Sequence, residues 1–90
     1  MIIKPVSASE DIQVAPTADA TILANTLVYI VNTNNAAAGV QVAESTPKTV
    51  YIPAGGSIII EKEHGSVIDV PAGQSGITTH IWAQAVAYTA

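Results

Sequence analysis

An all-β domain, a small sandwich or barrel of about seven or eight short antiparallel strands, is the fold class this sequence predicts. Three observations carry that prediction. Runs rich in Val, Ile, Thr and Tyr recur at about 8–12-residue spacing, separated by clusters of Pro, Gly, Asn and Ser. No long window shows the apolar period of a helix. Finally, residues 48–63, KTVYIPAGGSIIIEKE, set two β-rich runs either side of Pro53-Ala54-Gly55-Gly56. That stretch reads as a hairpin with a four-residue loop, because proline presets φ and glycine takes positive φ without a Cβ clash.

Taken in order, residues 1–20 are expected to form an extended N-terminal arm or loop, and residues 21–90 the sandwich or barrel itself. Within the first part, residues 1–6 read as a short strand in which Pro5, lacking an amide donor, suits a sheet edge. Residues 12–14 are a second brief candidate, and the arm as a whole could lie against a neighbouring subunit. Residues 21–24 and 26–32 read as strands. The latter is apolar on both faces, as in a central strand. Asn32-Thr33-Asn34-Asn35 is expected to turn the chain, since Asn tolerates the left-handed conformation. A weaker strand follows at 40–44, then a turn at 45–47 and the hairpin, whose second strand is drawn from Ser57 to Glu63 with its end in water. Residues 66–70 are a short strand, and 71–76 a second turn. The turns IPAGGS at 52–57 and VPAGQS at 70–75 resemble each other through shared turn chemistry. The last strand, 80–89, alternates His80, Trp82, Gln84, Val86 and Tyr88 with Ile81 and three alanines. Such an alanine row lets a second backbone approach closely, in the core or across a subunit contact.

At 90 residues this is one domain near the lower size limit for a single core. It is 49% hydrophobic and only 11% charged, with mean hydropathy +0.40. A lone domain of this size cannot hide that much apolar surface, so another chain is expected to cover part of it. Three lysines, no arginine and a net charge of −4 leave no basic patch for nucleic acid. The apolar runs are too short for a membrane-spanning helix. The absence of cysteine removes thiolate catalysis and zinc–thiolate sites. Residues 1–11 lack the pattern of a secretory signal, and the chain as given is expected to be the mature protein.

Candidate chemistry is sparse. Glu61, Glu63, His64 and Asp69 fall close together in sequence, but strand alternation separates them, and a charged strand end that resists edge aggregation explains them better. His80 and Trp82 share a face; a satisfied histidine and a large core side chain are the expected roles, with an exposed interface anchor as the alternative for Trp82. Residues 65–73 resemble part of the second metal motif of cupins, but the first motif and its histidines are missing, so a metal site is not expected. No phosphate-binding loop or nucleophile elbow is present. The chain is read as a non-enzyme without cofactor.

The segments LVYIVNT (27–33), VYIPAGGSIIIEKE (50–63) and IWAQAVAYT (81–89) together resemble small virion structural proteins of tailed phages, especially those of cyanobacterial and marine phages. The last matches a C-terminal strand of the form x-W/F-A-x-x-V/I-A-Y/F-T. The similarity covers roughly the last two-thirds of the chain, and the His64-Gly65 turn departs from it. The resemblance implies a homo-oligomeric capsid decoration or cement protein, assembled in the host cytoplasm and carried on the virion. It implies the major capsid protein as partner, and neither nucleic acid nor membrane. A neck, tail or fibre component, or a carbohydrate- or receptor-binding module, is the alternative. Interface candidates on this reading are Trp82, Tyr88, Ala83, Ala85, Ile2 and Ile3.

Overall fold

Eight strands and one helical turn arrange themselves in two antiparallel sheets, seen in a computed structural model that describes residues 2–44 and 46–89. The strands are β1 (Ile2–Pro5), β2 (Glu10–Asp11), β3 (Leu27–Asn32), β4 (Ala38–Ala43), β5 (Lys48–Ile52), β6 (Ser57–Glu61), β7 (Val67–Asp69) and β8 (Ile81–Thr89). The helix α1 spans Ala20–Ala24. One sheet has the order β1-β8-β3-β6, with β2 also paired to β8; the other has the order β5-β4-β7. The expected all-β, two-layer class is what the chain adopts. Met1, Ser45 and Ala90 lie outside the described residues, as does the side chain of Ile2; the turn expected at 45–47 is therefore described only in part.

The layers meet over a core drawn from both sheets. Val28 and Ile30 of β3 and Ile81, Ala83 and Ala85 of β8 face Val40 of β4, Ile52 of β5 and Ile68 of β7, all fully buried. Register explains the selection: Val28 pairs with Ala85, Ile30 with Ala83 and Asn32 with Ile81, so these residues share the inward face. The alanine row is thus the core face of β8, and its small side chains let the second sheet pack closely. Trp82, expected in the core, is only half-buried and sits on the opposite face, because the period of two that buries Ile81 and Ala83 turns it outward.

Residues 2–19 lie along this same domain. β1 and β2 follow one edge of β8 in succession, and Ser7 bridges the gap between them: its hydroxyl accepts from the Ala85 amide at 3.0 Å and its carbonyl from Gln84 Nε2 at 2.8 Å. Ile12 is fully buried in the core, and Thr17 exchanges two hydrogen bonds with Ile68. The brief strand falls at Glu10–Asp11, just before the expected 12–14.

Two local expectations are corrected. Residues 21–24, read as a strand, belong to α1. Asp19 accepts hydrogen bonds from the amides of Thr21 and Ile22 at 2.9 and 3.1 Å and so caps one helical turn, which outweighs the β preference of Thr21 and Ile22. More consequentially, residues 48–63 are not a hairpin. The turn is present and Gly55 has φ +68°, but β5 pairs with β4 and β6 with β3, so the chain passes from one sheet to the other at Pro53–Gly56. Turn chemistry specifies a reversal; long-range burial decides which sheet each arm joins. The strand also stops at Glu61, and Lys62, expected in water, is 3% exposed.

Candidate functional site

The outer face of the five-stranded sheet is the most distinctive surface. Here β3 contributes Leu27, Tyr29 and Val31, whose register partners across β6 and β8 include Ile59 and Trp82. The remaining partners on this face are polar, Glu61 opposite Leu27, Ser57 opposite Val31 and Gln84 opposite Tyr29, and among them the aliphatic and aromatic side chains form a half-buried row where a solvated face would ordinarily be polar. At one end of the sheet Ile3 and Tyr88 are cross-strand partners, 44% and 45% exposed. Of the interface candidates named from sequence, Trp82, Tyr88 and Ile3 are therefore accessible. Ala83 and Ala85 are fully buried against the chain's own second sheet, which leaves them no surface for a partner. Ile2 is placed in β1, and its side chain lies outside the described residues.

At the edge of this face, Asp11 Oδ2 and His80 Nδ1 are hydrogen-bonded at 2.6 Å, and the imidazole stacks tilted against Trp82 with centroids 4.9 Å apart. Burial raises the Asp11 pKa, but the His80 hydrogen bond and the amides of Gln13 and Ile81 outweigh it and hold the carboxyl below its ordinary value. The pair ties β2 to the start of β8. Among the described residues no three of His, Cys, Asp and Glu converge as a metal-binding group. Glu61, Glu63 and His64 are exposed.

An open cleft of about 440 Å³ is lined by residues 13–16 and 69–74, with Ile77. Its volume suits a small ligand. Its only charged group is Asp69, and no aromatic ring lines it.

Sequence reading missed the buried polar groups. Asn32, fully buried, donates from Nδ2 to the carbonyls of Ala36, Ile52 and Pro53, and its Oδ1 accepts from the amide and Nδ2 of Asn34. Asn34 Oδ1 in turn accepts from the amides of Thr78 and Thr79. The asparagines do not turn the chain by the left-handed conformation expected of them, since among the described residues only glycines have positive φ; they act through their amides. The available signal was phase, because Asn32 follows Val28 and Ile30 on the buried face. Lys62 carried the same signal, since it follows Ile58 and Ile60 in phase, but its charge argued for water. Its ammonium donates to Leu23 O at 2.9 Å, and burial lowers its pKa, opposed by nearby Glu44.

Compared with protein-family models, with curated proteins and with solved structures, the chain matches none. Function is therefore argued from the surface itself.

Proposed function

We propose that this chain is a structural subunit that docks onto a larger assembly through the outer face of its five-stranded sheet, most specifically a decoration or cement protein on the head of a tailed phage. The observation that carries the docking reading is the row Leu27, Tyr29, Val31, Ile59 and Trp82, apolar and half-buried along the middle of a face whose other members are Ser57, Glu61 and Gln84. The particle assignment draws on the resemblance of residues 27–33, 50–63 and 81–89 to small virion proteins. An acidic, cysteine-free domain used in many copies fits that role, because many weak contacts engaged together give large avidity without a tight pocket. The partner is then the major capsid protein, the chain acts as a homo-oligomer without cofactor or catalysis, and its place is the virion, assembled in the host cytoplasm.

Antibody raised against the chain, used for immunogold labelling of phage particles from cells that express it, tests the assignment. Label spread over heads supports decoration; label confined to neck, tail or fibre moves the protein there; unlabelled particles overturn the virion reading. The docking surface is tested separately with Tyr29→Lys. Tyr29 is half-buried on the outer face and not in the core between the sheets, so the domain is expected to stay folded with the lysine ammonium in water, and that charge must be desolvated on docking. Particle occupancy is expected to fall about tenfold or more, and unchanged occupancy overturns the choice of face.

The second reading, a carbohydrate- or receptor-binding module, is favoured by the cleft at residues 13–16 and 69–74. Against it, Trp82 and Tyr88, the rings best suited to stack on a sugar, do not line that cleft.

A further inference from the structure

We infer that the outer edge of β6 is a self-association site, at which a second copy of this chain adds its own β6 antiparallel and joins the two five-stranded sheets into one. The inference stands independently of any particle assignment.

It rests first on where the backbone points. Gly56 O accepts from Asn32 N at 2.9 Å, and Lys62 N donates to Thr26 O at 2.8 Å, so both ends of this segment bond toward β3. In an antiparallel ladder such residues alternate. Residues 56, 58, 60 and 62 therefore face β3, and Ser57, Ile59 and Glu61 aim their amides and carbonyls away from it. Among the described residues no strand lies on that side, since β6 ends the sheet order. Beside it, the mouth between β5 and β6 is open, a groove of about 180 Å³ with Val42, Val50 and Ile60 in its walls.

It rests second on contrast with the other edges. Natural sheets protect their edges with proline, lysine, bulges or covering segments. β1 carries Lys4 and Pro5, β5 begins with Lys48, and the β7 edge is covered by Thr17, which bonds both the amide and the carbonyl of Ile68. β6, with the sequence SIIIE, has three consecutive isoleucines and neither proline, lysine nor a covering segment; its one charge, Glu61, stands at the end of the strand.

The occupant follows from the self-complementarity of that sequence. Antiparallel pairing about a two-fold axis at Ile59 sets Ile58 opposite Ile60 of the second copy and Ser57 opposite its Glu61. All five residues pair, three bonding positions are satisfied on each strand, and the two Glu61 carboxylates stand about 13 Å apart, four residues of strand length. No like charges face each other. The apolar outer row then runs unbroken through Ile59 of both copies. Pairing of one short strand buries less than a standard interface, so the dimer is expected to be weak.

Sedimentation equilibrium from about 1 µM to 1 mM tests this, the chain mass being 9.2 kDa. A concentration-dependent dimer is expected. Ser57 is exposed, so charge placed there leaves the fold intact. Ser57→Glu sets two glutamate pairs across the axis and is expected to weaken dimerisation about tenfold; Ser57→Lys, facing Glu61, is expected to tighten it. Combining Ser57→Glu with Glu61→Lys restores opposite charges and should recover wild-type affinity. In a chain without cysteine, Ile59→Cys should oxidise to a single disulfide-linked dimer. A monomer throughout that range, or an oligomer indifferent to the charge at position 57, overturns the inference.

Discussion

Asn32 and Lys62 are buried polar side chains at opposite ends of β3, and the two solutions differ in kind. Asn32 ends β3 at one end, beside the Pro53–Gly56 turn; Lys62 lies past the other end of the same strand, its amide bonded to Thr26. The asparagine is neutral and offers both donor and acceptor, so its five hydrogen bonds reach the 33–37 loop, the end of β5 and the sheet-crossing turn. The lysine offers only donors and carries a charge into the protein, where it meets Leu23 O at 2.9 Å and Glu63 O at 3.4 Å. Leu23 O is independently bonded to Gly65 N at 2.7 Å. The asparagine thus joins three segments, sharing Pro53 O with another donor, Gly56 N, whereas the lysine adds a donor to carbonyls already bonded to Gly65 N and Ser66 N. A neutral amide specifies this fold; a buried ammonium is tolerated by it.

The sharpest way to break that comparison is Asn32→Leu. The side chain is nearly isosteric, yet the carbonyls of Ala36, Ile52 and Pro53 and the Asn34 amide lose their common partner, and the Ile52 and Asn34 bonds lie in the buried interior. A loss of about 3 kcal/mol or more is expected in urea unfolding, a large part of the roughly 5–13 kcal/mol that a domain of this size has. A loss below about 1 kcal/mol would mean that the loops reach water and that the clasp is incidental. Lys62→Met is the matched change at the other end. It removes the desolvated charge and keeps the aliphatic stem, so the stability change at neutral pH is expected within about 1 kcal/mol of zero, in either direction. The pH dependence separates the two further. Burial lowers the folded pKa of Lys62, so between that value and the unfolded one near ~10.4 the unfolded chain binds more protons. The contribution of Lys62 therefore rises with pH across that window, and the variant lacks the rise.

Two turns with nearly the same sequence show what could and could not be read in advance. In IPAGGS and VPAGQS the first glycine has positive φ, +68° at Gly55 and +86° at Gly73, as the Pro-Ala-Gly pattern implies. Even the bond to the proline carbonyl recurs by different means: Gly56 N reaches Pro53 O at 2.9 Å, and Gln74 Nε2 reaches Pro71 O at 3.0 Å. Both turns carry the chain out of the three-stranded sheet and on toward the five-stranded one. Local sequence held the reversal but not the destination, because the partner strands β4 and β3 are chosen by which apolar sets share a core. The same limit explains β8. Alternation correctly divided its residues into a bulky face and an alanine face, but whether the core takes the bulky one depends on how near the opposite sheet comes. For the candidate surface the consequence was mixed: Trp82, Tyr88 and Ile3, named from sequence as interface candidates, are accessible, while the row on β3 was hidden, since residues 26–32 read as apolar on both faces.

The smallest expected effect tests the edge where the N-terminal segment meets the outer face. Asp11 accepts from the Gln13 amide at 3.0 Å and pairs with His80, whose side chain is 63% exposed. Exposed pairs of this kind contribute less than about 1 kcal/mol, so Asp11→Asn is expected to cost no more than that at neutral pH. The stabilisation has a defined direction in pH. Because the folded carboxyl titrates below the unfolded value of about 3.9, its contribution is complete above that value and disappears as pH falls through the lower, folded one. Wild type and Asp11→Asn should therefore converge in unfolding free energy as the solution is acidified below pH ~4. A gap that persists under acid would show that Asp11 acts through its uncharged hydrogen bonds to the backbone, and that the pairing with His80 adds nothing to the docking of β2 on β8.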